Sequence, residues 1–156
     1  MDDREKRPLP FPTFLPLGGG RNKTVQILIR STRLRFGDYC LESHPTHAVI
    51  ERKASLDEIA VNCLNPQRRI SFEKELSYLG ENVAHPLLLF EGDPHSLLRP
   101  TPRNPNPFET IDAFQRLLLT HRIPSLFLPA NSILQLRSIA EWAARWLINS
   151  TLIGVT

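Results

Sequence analysis

The chain has 156 residues, of which 41% are hydrophobic and 22% charged, and it carries a formal net charge of +3. These values are ordinary for a soluble globular chain with a real core, and we expect one domain that spans residues 1–156. Its longest apolar run is far too short to span a bilayer, and its charged, proline-rich N-terminus is unlike a signal peptide. The two cysteines, Cys40 and Cys63, make neither a disulfide framework nor a zinc site, so we expect a cytoplasmic protein.

Positive charge is concentrated at the N-terminal end of the sequence. The first 36 residues contain eight lysines and arginines against three acidic residues. Such a patch suits a phosphodiester substrate, because arginines can grip neighbouring phosphates, whereas the other interpretation is that these are solvated positions that aid solubility. The candidate DNA-binding residues are Arg30, Arg33, Arg35, Arg68 and Arg69.

The first predicted elements are a loop and two strand-like segments. Residues 8–20 (PLPFPTFLPLGGG) are too rich in proline and glycine for regular structure, and they predict a packed loop. Residues 24–29 (TVQILI) have strand character, and residues 34–41 lead into a predicted hairpin.

The predicted hairpin covers residues 37–53, GDYCLESHPTHAVIERK, and its turn centres between His44 and Pro45. Paired residue numbers then sum to 89, and the expected pairs are Glu42 with His47, Cys40 with Val49, and Asp38 with Glu51. Because side chains alternate between the two faces of a strand, Glu51 and Lys53 point the same way. The register therefore gathers two carboxylates and one ammonium group on one face.

Helices and strands alternate in the rest of the chain. Ser55 and Glu58 form a capping-box pattern that predicts the start of a short helix. The later predicted elements are a helix over 68–83, a buried strand over 86–91, a proline-rich loop or lid over 92–107, a helix from Asn106 to about His121, a strand over 123–128 and a helix over 132–148. This alternation predicts an α/β fold with a central β-sheet between helices.

The charged cluster of the hairpin has two interpretations on geometry alone. Carboxylates that face one another are tolerated when a cation lies between them, and hard oxygen ligands suit Mg²⁺ or Mn²⁺. Alternatively, Asp38 and Glu51 are solvated on an exposed face, and Lys53 forms a weak surface ion pair. His44 and His47 form an H-x-x-H pattern, but without a third ligand nearby we expect surface histidines rather than a zinc site.

Four motifs stand in a recognisable order along the chain. Gly37-Asp38, a gap of twelve residues, Glu51-Arg52-Lys53 and Asp57 match a G-D…E-R-K-x-x-x-D signature, and Asp2-Asp3-Arg4-Glu5 matches an N-terminal D-x-R-E element. QRRISFEKEL at 67–76 matches a following helix, and PLLLFEG matches a strand that ends in an acidic residue. With these motifs, nearly the whole chain resembles the XPF-type nuclease domain of the PD-(D/E)XK superfamily, most closely its compact stand-alone versions in bacteria and phages.

The resemblance implies a restriction-endonuclease-like core with a mixed central sheet, and a Mg²⁺-dependent endonuclease that acts on DNA and accepts Mn²⁺. Asp38, Glu51 and Lys53 would be catalytic; Asp38, Glu51 and the backbone carbonyl of Arg52 would hold the metal. Lys53 would position or activate the attacking water. Secondary contributors would be Asp2, Arg4, Glu5 and Asp57, with Arg4 bracing the site through a carboxylate.

The resemblance also sets expectations about context. Family members carry an apolar strand before the D-x-R-E element, which here stands at residues 2–5, so we expect a sheet without that strand or a reading frame that extends upstream. The expected partner is DNA, in repair or recombination, with flap or branched DNA as a candidate substrate. The expected location is the nucleoid in a bacterium or the nucleus in a eukaryote. A homodimer through the C-terminal strand and helix, which carries Trp142 and Trp146, is a further expectation.

Two other functions remain open from the sequence. One is a catalytically silent DNA-binding or scaffold module with the same fold. The other is restriction-type cleavage at a fixed base sequence.

Overall fold

The computed structural model describes residues 1–18 and 23–153, apart from the side chain of Leu56. Its strands are β1 (Phe14–Pro16), β2 (Thr24–Gln26), β3 (Tyr39–Leu41), β4 (His44–Lys53), β5 (His85–Glu91) and β6 (Ser125–Leu128). Its helices are α1 (Leu56–Leu64), α2 (Pro66–Asn82), α3 (Pro107–His121) and α4 (Ile133–Ser150), with a 3₁₀ helix at Pro94–Leu98. Within the described ranges, no helix combines the length and the apolar character that a membrane crossing requires.

The central sheet has four strands in the order β3-β4-β5-β6. β3 pairs with β4 in the antiparallel sense, whereas β4, β5 and β6 run parallel to one another. β1 and β2 form a separate antiparallel pair. The architecture is therefore a mixed sheet flanked by helices, which confirms the fold class predicted from the sequence.

Two hydrophobic cores lie on the two faces of this sheet. Val49 and Leu88 pack in the core that α1, α2 and α3 share, whereas Ile50 and Leu89 pack in the core that α4 covers. Each such buried aliphatic side chain stabilises the fold by about 1.5–3 kcal/mol. This burial fixes the register of β4, because a slip by one residue would exchange its two faces.

Side-chain caps fix the starts of the helices, as the sequence indicated. The hydroxyl of Ser55 accepts a hydrogen bond from the backbone N–H of Glu58 at 3.2 Å and begins α1. The amide oxygen of Asn106 accepts from the N–H of Glu109 at 3.4 Å and begins α3. Each cap satisfies a backbone donor that the first helical turn leaves without a partner.

The hairpin turn differs from the prediction. The predicted register holds at the open end of the hairpin, for the pairs Tyr39–Ile50 and Cys40–Val49. A bulge then shifts the register, and Leu41 pairs with His44. Because the turn lies at Glu42 and Ser43, the predicted pair of Glu42 with His47 does not form.

The predictions for the N-terminal loop and the strand after it were partly wrong. Residues 8–20 contain β1, whose last residue is a proline, a residue that strands tolerate only at edges or ends. β2 ends at Gln26 instead of residue 29. Beyond Gln26, the N–H of Ile27 still donates to the carbonyl of Thr13 at 2.9 Å. Residues 19–22, which include the end of the predicted loop, lie outside the described ranges.

The proline-rich segment 92–107, which was predicted to be a loop or lid, does not line the cleft described below. It contains the 3₁₀ helix, and it buries Leu97 and Asn104 in the protein. The side-chain oxygen of Asn104 accepts a hydrogen bond from the hydroxyl of Thr110 in α3 at 2.7 Å. These contacts hold the segment against α3.

Candidate metal centre

The structure brings the predicted catalytic residues into one cleft at the C-terminal end of β4. Asp38, Glu51, Arg52 and Lys53 all line this cleft, which has a volume of about 520 Å³. β4 supplies the last three, and Asp38 stands immediately before β3. The two carboxylates that the sequence predicted to be neighbours therefore face the same space.

Asp38 is held in place by its backbone neighbours. Gly37 has φ = 77°, in the left-handed region that favours glycine, and a Cβ atom there would lie 2.2 Å from Cγ1 of Val49. The N–H of Asp38 donates to the carbonyl of Ile50 at 2.9 Å, and its Oδ2 accepts from the N–H of Arg52 at 2.7 Å. Burial, and then the nearby charge of Glu51, raise the pKa of Asp38 to about 7.

Glu51 and Lys53 form a buried ion pair on the face that α1, α2 and α3 cover. Their exposed fractions are 4% and 5%, and Nζ of Lys53 donates to Oε1 of Glu51. Nζ also lies 3.7 Å from the carboxylate of Glu75 in α2 and 3.8 Å from that of Glu58 in α1. It stands 5.0 Å from the ring centroid of Phe72.

Burial and the neighbouring charges shift the pKa values of both Glu51 and Lys53. Burial raises the pKa of Glu51, and Lys53 opposes this rise while Glu75 adds to it. Burial alone would lower the pKa of Lys53, but the charges of Glu51 and Glu75 outweigh it and hold the pKa above its ordinary value. Lys53 is therefore protonated at neutral pH.

Arg52 points to the opposite face of the sheet and braces the strand ends. Its Nε donates to Oε1 of Glu91 at 2.6 Å, and its NH1 lies 3.4 Å from Oε1 of Glu5. Arg52, Glu91 and Glu5 thus tie β4, β5 and the N-terminal segment together. Metal ligation by the carbonyl of Arg52 stays a prediction.

The buried carboxylate of Asp2 and the exposed guanidinium of Arg4 form a second ion pair in the lining of the cleft. Nε and NH2 of Arg4 donate to the two carboxylate oxygens of Asp2, each at 2.8 Å. The N–H of Leu34 donates to Oδ2 of Asp2 at 3.0 Å, and the N–H of Asp2 donates to the carbonyl of Asp38 at 2.8 Å. The Arg4 guanidinium holds the pKa of Asp2 at about 2, although burial opposes it. Asp2 therefore positions Asp38 through the backbone, and Arg4 braces the site through a carboxylate as expected.

The N-terminal segment lies next to the sheet without forming a strand of its own there. Asp2 makes an isolated parallel bridge with Thr32, and the N–H of Thr32 donates to the carbonyl of Met1 at 3.1 Å. The D-x-R-E element thus reaches the site through this one bridge, the contacts of Asp2 and the ion pair of Glu5 with Arg52.

Asp57 lies outside the lining of the cleft. Its Oδ1 accepts a hydrogen bond from the hydroxyl of Thr101 at 2.9 Å, and this bond anchors the 92–107 segment to α1. A secondary role of Asp57 in the site stays a prediction.

The five candidate DNA-binding arginines are not equivalent. Arg30 forms an exposed ion pair with Glu42, and Arg33 lies 3.9 Å from a carboxylate oxygen of Asp3. Arg68 lines the cleft. Arg35 lies over the rings of Phe36 and Tyr78. Arg69 is exposed on α2 and does not line the cleft.

Three carboxylates of the site region were not predicted as site residues from the sequence. Glu58 and Glu75 line the cleft near Nζ of Lys53, while Glu91 binds Arg52. The second glutamate of the FEKEL segment and the acid that ends strand 86–91 were the available signals for Glu75 and Glu91.

The H-x-x-H pair lies at the other end of β4 and has a structural contact. His44 is exposed, whereas His47 is half-buried and its Nε2 lies 2.8 Å from the carbonyl oxygen of Ser150 at the end of α4. In residues 1–18 and 23–153, no three His, Cys, Asp or Glu side chains are grouped so that they could hold a metal ion.

The residues of the cleft nevertheless fit a magnesium-type ion. Asp38 and Glu51 supply hard oxygen donors, and burial together with their mutual repulsion raises the pKa of Asp38, an instability that a cation would relieve. Mg²⁺ commonly binds through one or two carboxylates and keeps several waters. Two carboxylates at an open cleft are sufficient for such a site.

Comparisons with known proteins agree with this geometry at the level of the fold. No protein-family model matches the sequence. No curated protein matches it significantly either. Among solved structures, XPF from Aeropyrum pernix is similar, with a TM-score of 0.50 and 21% sequence identity over 78% of this chain and 56% of that chain. The chain thus spans little more than half of that neighbour, and the similarity shows that it has an XPF-like fold.

Proposed function

We propose that this domain is a divalent-metal-dependent endonuclease that hydrolyses phosphodiester bonds in DNA. The observation that carries the proposal is the convergence of Asp38, Glu51 and Lys53 in one cleft of an XPF-like fold. Glu51 and Lys53 are buried and Asp38 is half-buried, and charged groups in such positions are costly unless they are paired or bind a ligand. Binding of a cation and a phosphate would offset the cost of placing these charges together.

Asp38 and Glu51 are the residues that would hold Mg²⁺ or Mn²⁺. When bound, such an ion polarises the phosphoryl oxygen and lowers the pKa of a coordinated water. The N–H of Arg52 donates to Oδ2 of Asp38, which leaves Oδ1 without that bond and available for ligation. The same hydrogen bond keeps the carboxylate from turning away.

Lys53 acts as a hydrogen-bond donor in this proposal and not as a general base. Because the surrounding carboxylates hold its pKa above the ordinary value, Nζ carries a proton to donate. Glu51, Glu58 and Glu75 keep Nζ at the cleft. From there it can orient the attacking water and stabilise the charge that develops on the phosphate.

The proposed substrate is flap or branched DNA, and the proposed process is repair or recombination. XPF from Aeropyrum pernix supports it only through the shared fold. Arg68 lines the cleft and can neutralise a phosphate of the substrate strand.

Cleavage of labelled DNA tests the proposal. We expect the protein with Mg²⁺ or Mn²⁺ to cut flap DNA, and Glu51→Gln, which keeps the shape of the side chain, to reduce the rate at least about 100-fold. Asp112→Asn is the matched control, because Asp112 is exposed on α3 and has no ion pair or side-chain hydrogen bond in the described part of the chain. Equal cleavage by wild type and Glu51→Gln would refute the assignment.

A catalytically silent DNA-binding module is the second candidate. It is favoured by the finding that the described residues contain no group of three or more possible metal ligands. It predicts binding of flap DNA without cleavage under every metal condition. Discrete bands from plasmid DNA would instead indicate restriction-type cleavage at a fixed sequence.

A further inference from the structure

Arg35, Phe36 and Tyr78 form a layered stack beside the cleft, which we name the stacking platform. The ring centroids of Phe36 and Tyr78 are 4.2 Å apart, and the ring planes differ by 27°. The guanidinium carbon of Arg35 lies 4.8 Å from the centroid of Tyr78 and 5.8 Å from that of Phe36.

The platform adjoins the proposed catalytic residues along the chain. Phe36 directly precedes Gly37 and Asp38, and Tyr78 stands one helical turn after Glu75, which lines the cleft. The platform residues do not line the cleft themselves, but a ligand strand that extends past Gly37 and Glu75 can reach them.

Arg35 is available to a ligand, unlike two arginines that precede it. Arg30 and Arg33 are paired with Glu42 and Asp3. Arg35 is exposed and, in the described part of the chain, has no ion pair with an acidic side chain. Its guanidinium is planar and lies over the ring of Tyr78, and because the residue is exposed, the guanidinium plane can also stack on a ligand.

A second cation stands at the other end of the cleft. Arg68 lines the cleft and precedes Tyr78 by ten residues on α2, a distance of about 15 Å along the helix axis. A strand that lies along α2 would meet Arg68, then the carboxylates of the cleft, then the platform.

We propose that the stacking platform holds an unpaired base of the substrate strand next to the phosphate that is cut. This inference rests on the proposed nuclease function and names a feature of its substrate. Aromatic rings and guanidinium planes stack on any base, but only where the base is free of its neighbours in a duplex. The platform therefore favours single-stranded or branched DNA over plain duplex.

Binding to a single-stranded oligonucleotide that contains 2-aminopurine tests the proposal. The titration is done in EDTA, so that its result does not depend on metal binding or cleavage. We expect 2-aminopurine fluorescence to report stacking on the wild-type protein, and affinity to fall roughly tenfold in both Arg35→Ala and Arg35→Lys. Arg35→Lys keeps the charge but loses the plane, and Arg116→Ala, which removes an exposed arginine of α3, is the charge control.

Two results would overturn the platform. One is wild-type affinity and fluorescence change in Arg35→Lys, since this would show that Arg35 acts only as a point charge. The other is equal affinity of the wild type for duplex and single-stranded DNA. Tyr78→Phe keeps the ring and should behave as wild type, whereas Tyr78→Leu should behave as Arg35→Ala. If stacking is observed but Mg²⁺ or Mn²⁺ gives no cleavage, the nuclease proposal fails. The platform is then a site that binds an unpaired base without cleavage.

Discussion

Replacing Gly37 by alanine should destabilise the protein strongly, because the residue before Asp38 has room for no side chain. Its φ of 77° costs a residue with a Cβ atom about 1–2 kcal/mol. The added Cβ would also lie 2.2 Å from Cγ1 of Val49, and overpacking of this kind costs about 1–3 kcal/mol. The expected loss in the free energy of unfolding is therefore about 2–5 kcal/mol.

Urea unfolding followed by tryptophan fluorescence measures this loss. Gly18→Ala is the matched control, since no atom of the described residues lies within 4 Å of a Cβ atom at Gly18, and its effect should stay within about 0.5 kcal/mol. Val49→Ala removes the atom that clashes, so the double variant should be more stable than the sum of the single effects by about 1–3 kcal/mol. Additive effects, or a Gly37→Ala variant as stable as Gly18→Ala, would refute the reasoning.

Two further predictions concern the charges around the cleft. Glu91→Gln removes the carboxylate whose Oε1 lies 2.6 Å from Nε of the buried Arg52. The free energy of unfolding should therefore fall by about 3 kcal/mol, and a loss below about 1 kcal/mol in urea unfolding would contradict this. Because burial raises the pKa of Asp38 to about 7 and also raises that of Glu51, Mn²⁺ must displace protons from these carboxylates near neutral pH. The apparent Kd for Mn²⁺ should therefore rise about tenfold or more per pH unit below pH 7; calorimetric titrations between pH 5.5 and 8 that show a flat Kd would contradict the assignment.

Much of the fold was predictable because its signals are local. The cap residues Ser55 and Asn106 start helices through bonds to residues three positions away, and residues 86–91 form one apolar run. The alternation of side chains in β4 likewise placed Glu51 and Lys53 on one face. Each of these features depends only on residues that are close in sequence.

The parts that the sequence missed depend on packing between distant segments. Glu75 stands 24 residues from Glu51, and only the packing of α2 on the sheet brings it to the cleft. The neutralisation of Arg30 by Glu42 depends on how residues 27–34 lie against the hairpin, and Asp57 turns to Thr101 because segment 92–107 folds against α1. The register shift after Cys40 moved the turn. The prediction assumed one constant register along the hairpin, and a bulge breaks that register.

Titration of the protein with Mn²⁺ in a calorimeter tests the central claim most directly, which is that Asp38 and Glu51 share one cation. We predict one ion per chain at pH 8, with binding lost in Asp38→Asn and in Glu51→Gln but kept in Asp112→Asn. Wild-type affinity in either of the first two variants, with their folds intact, would contradict the account.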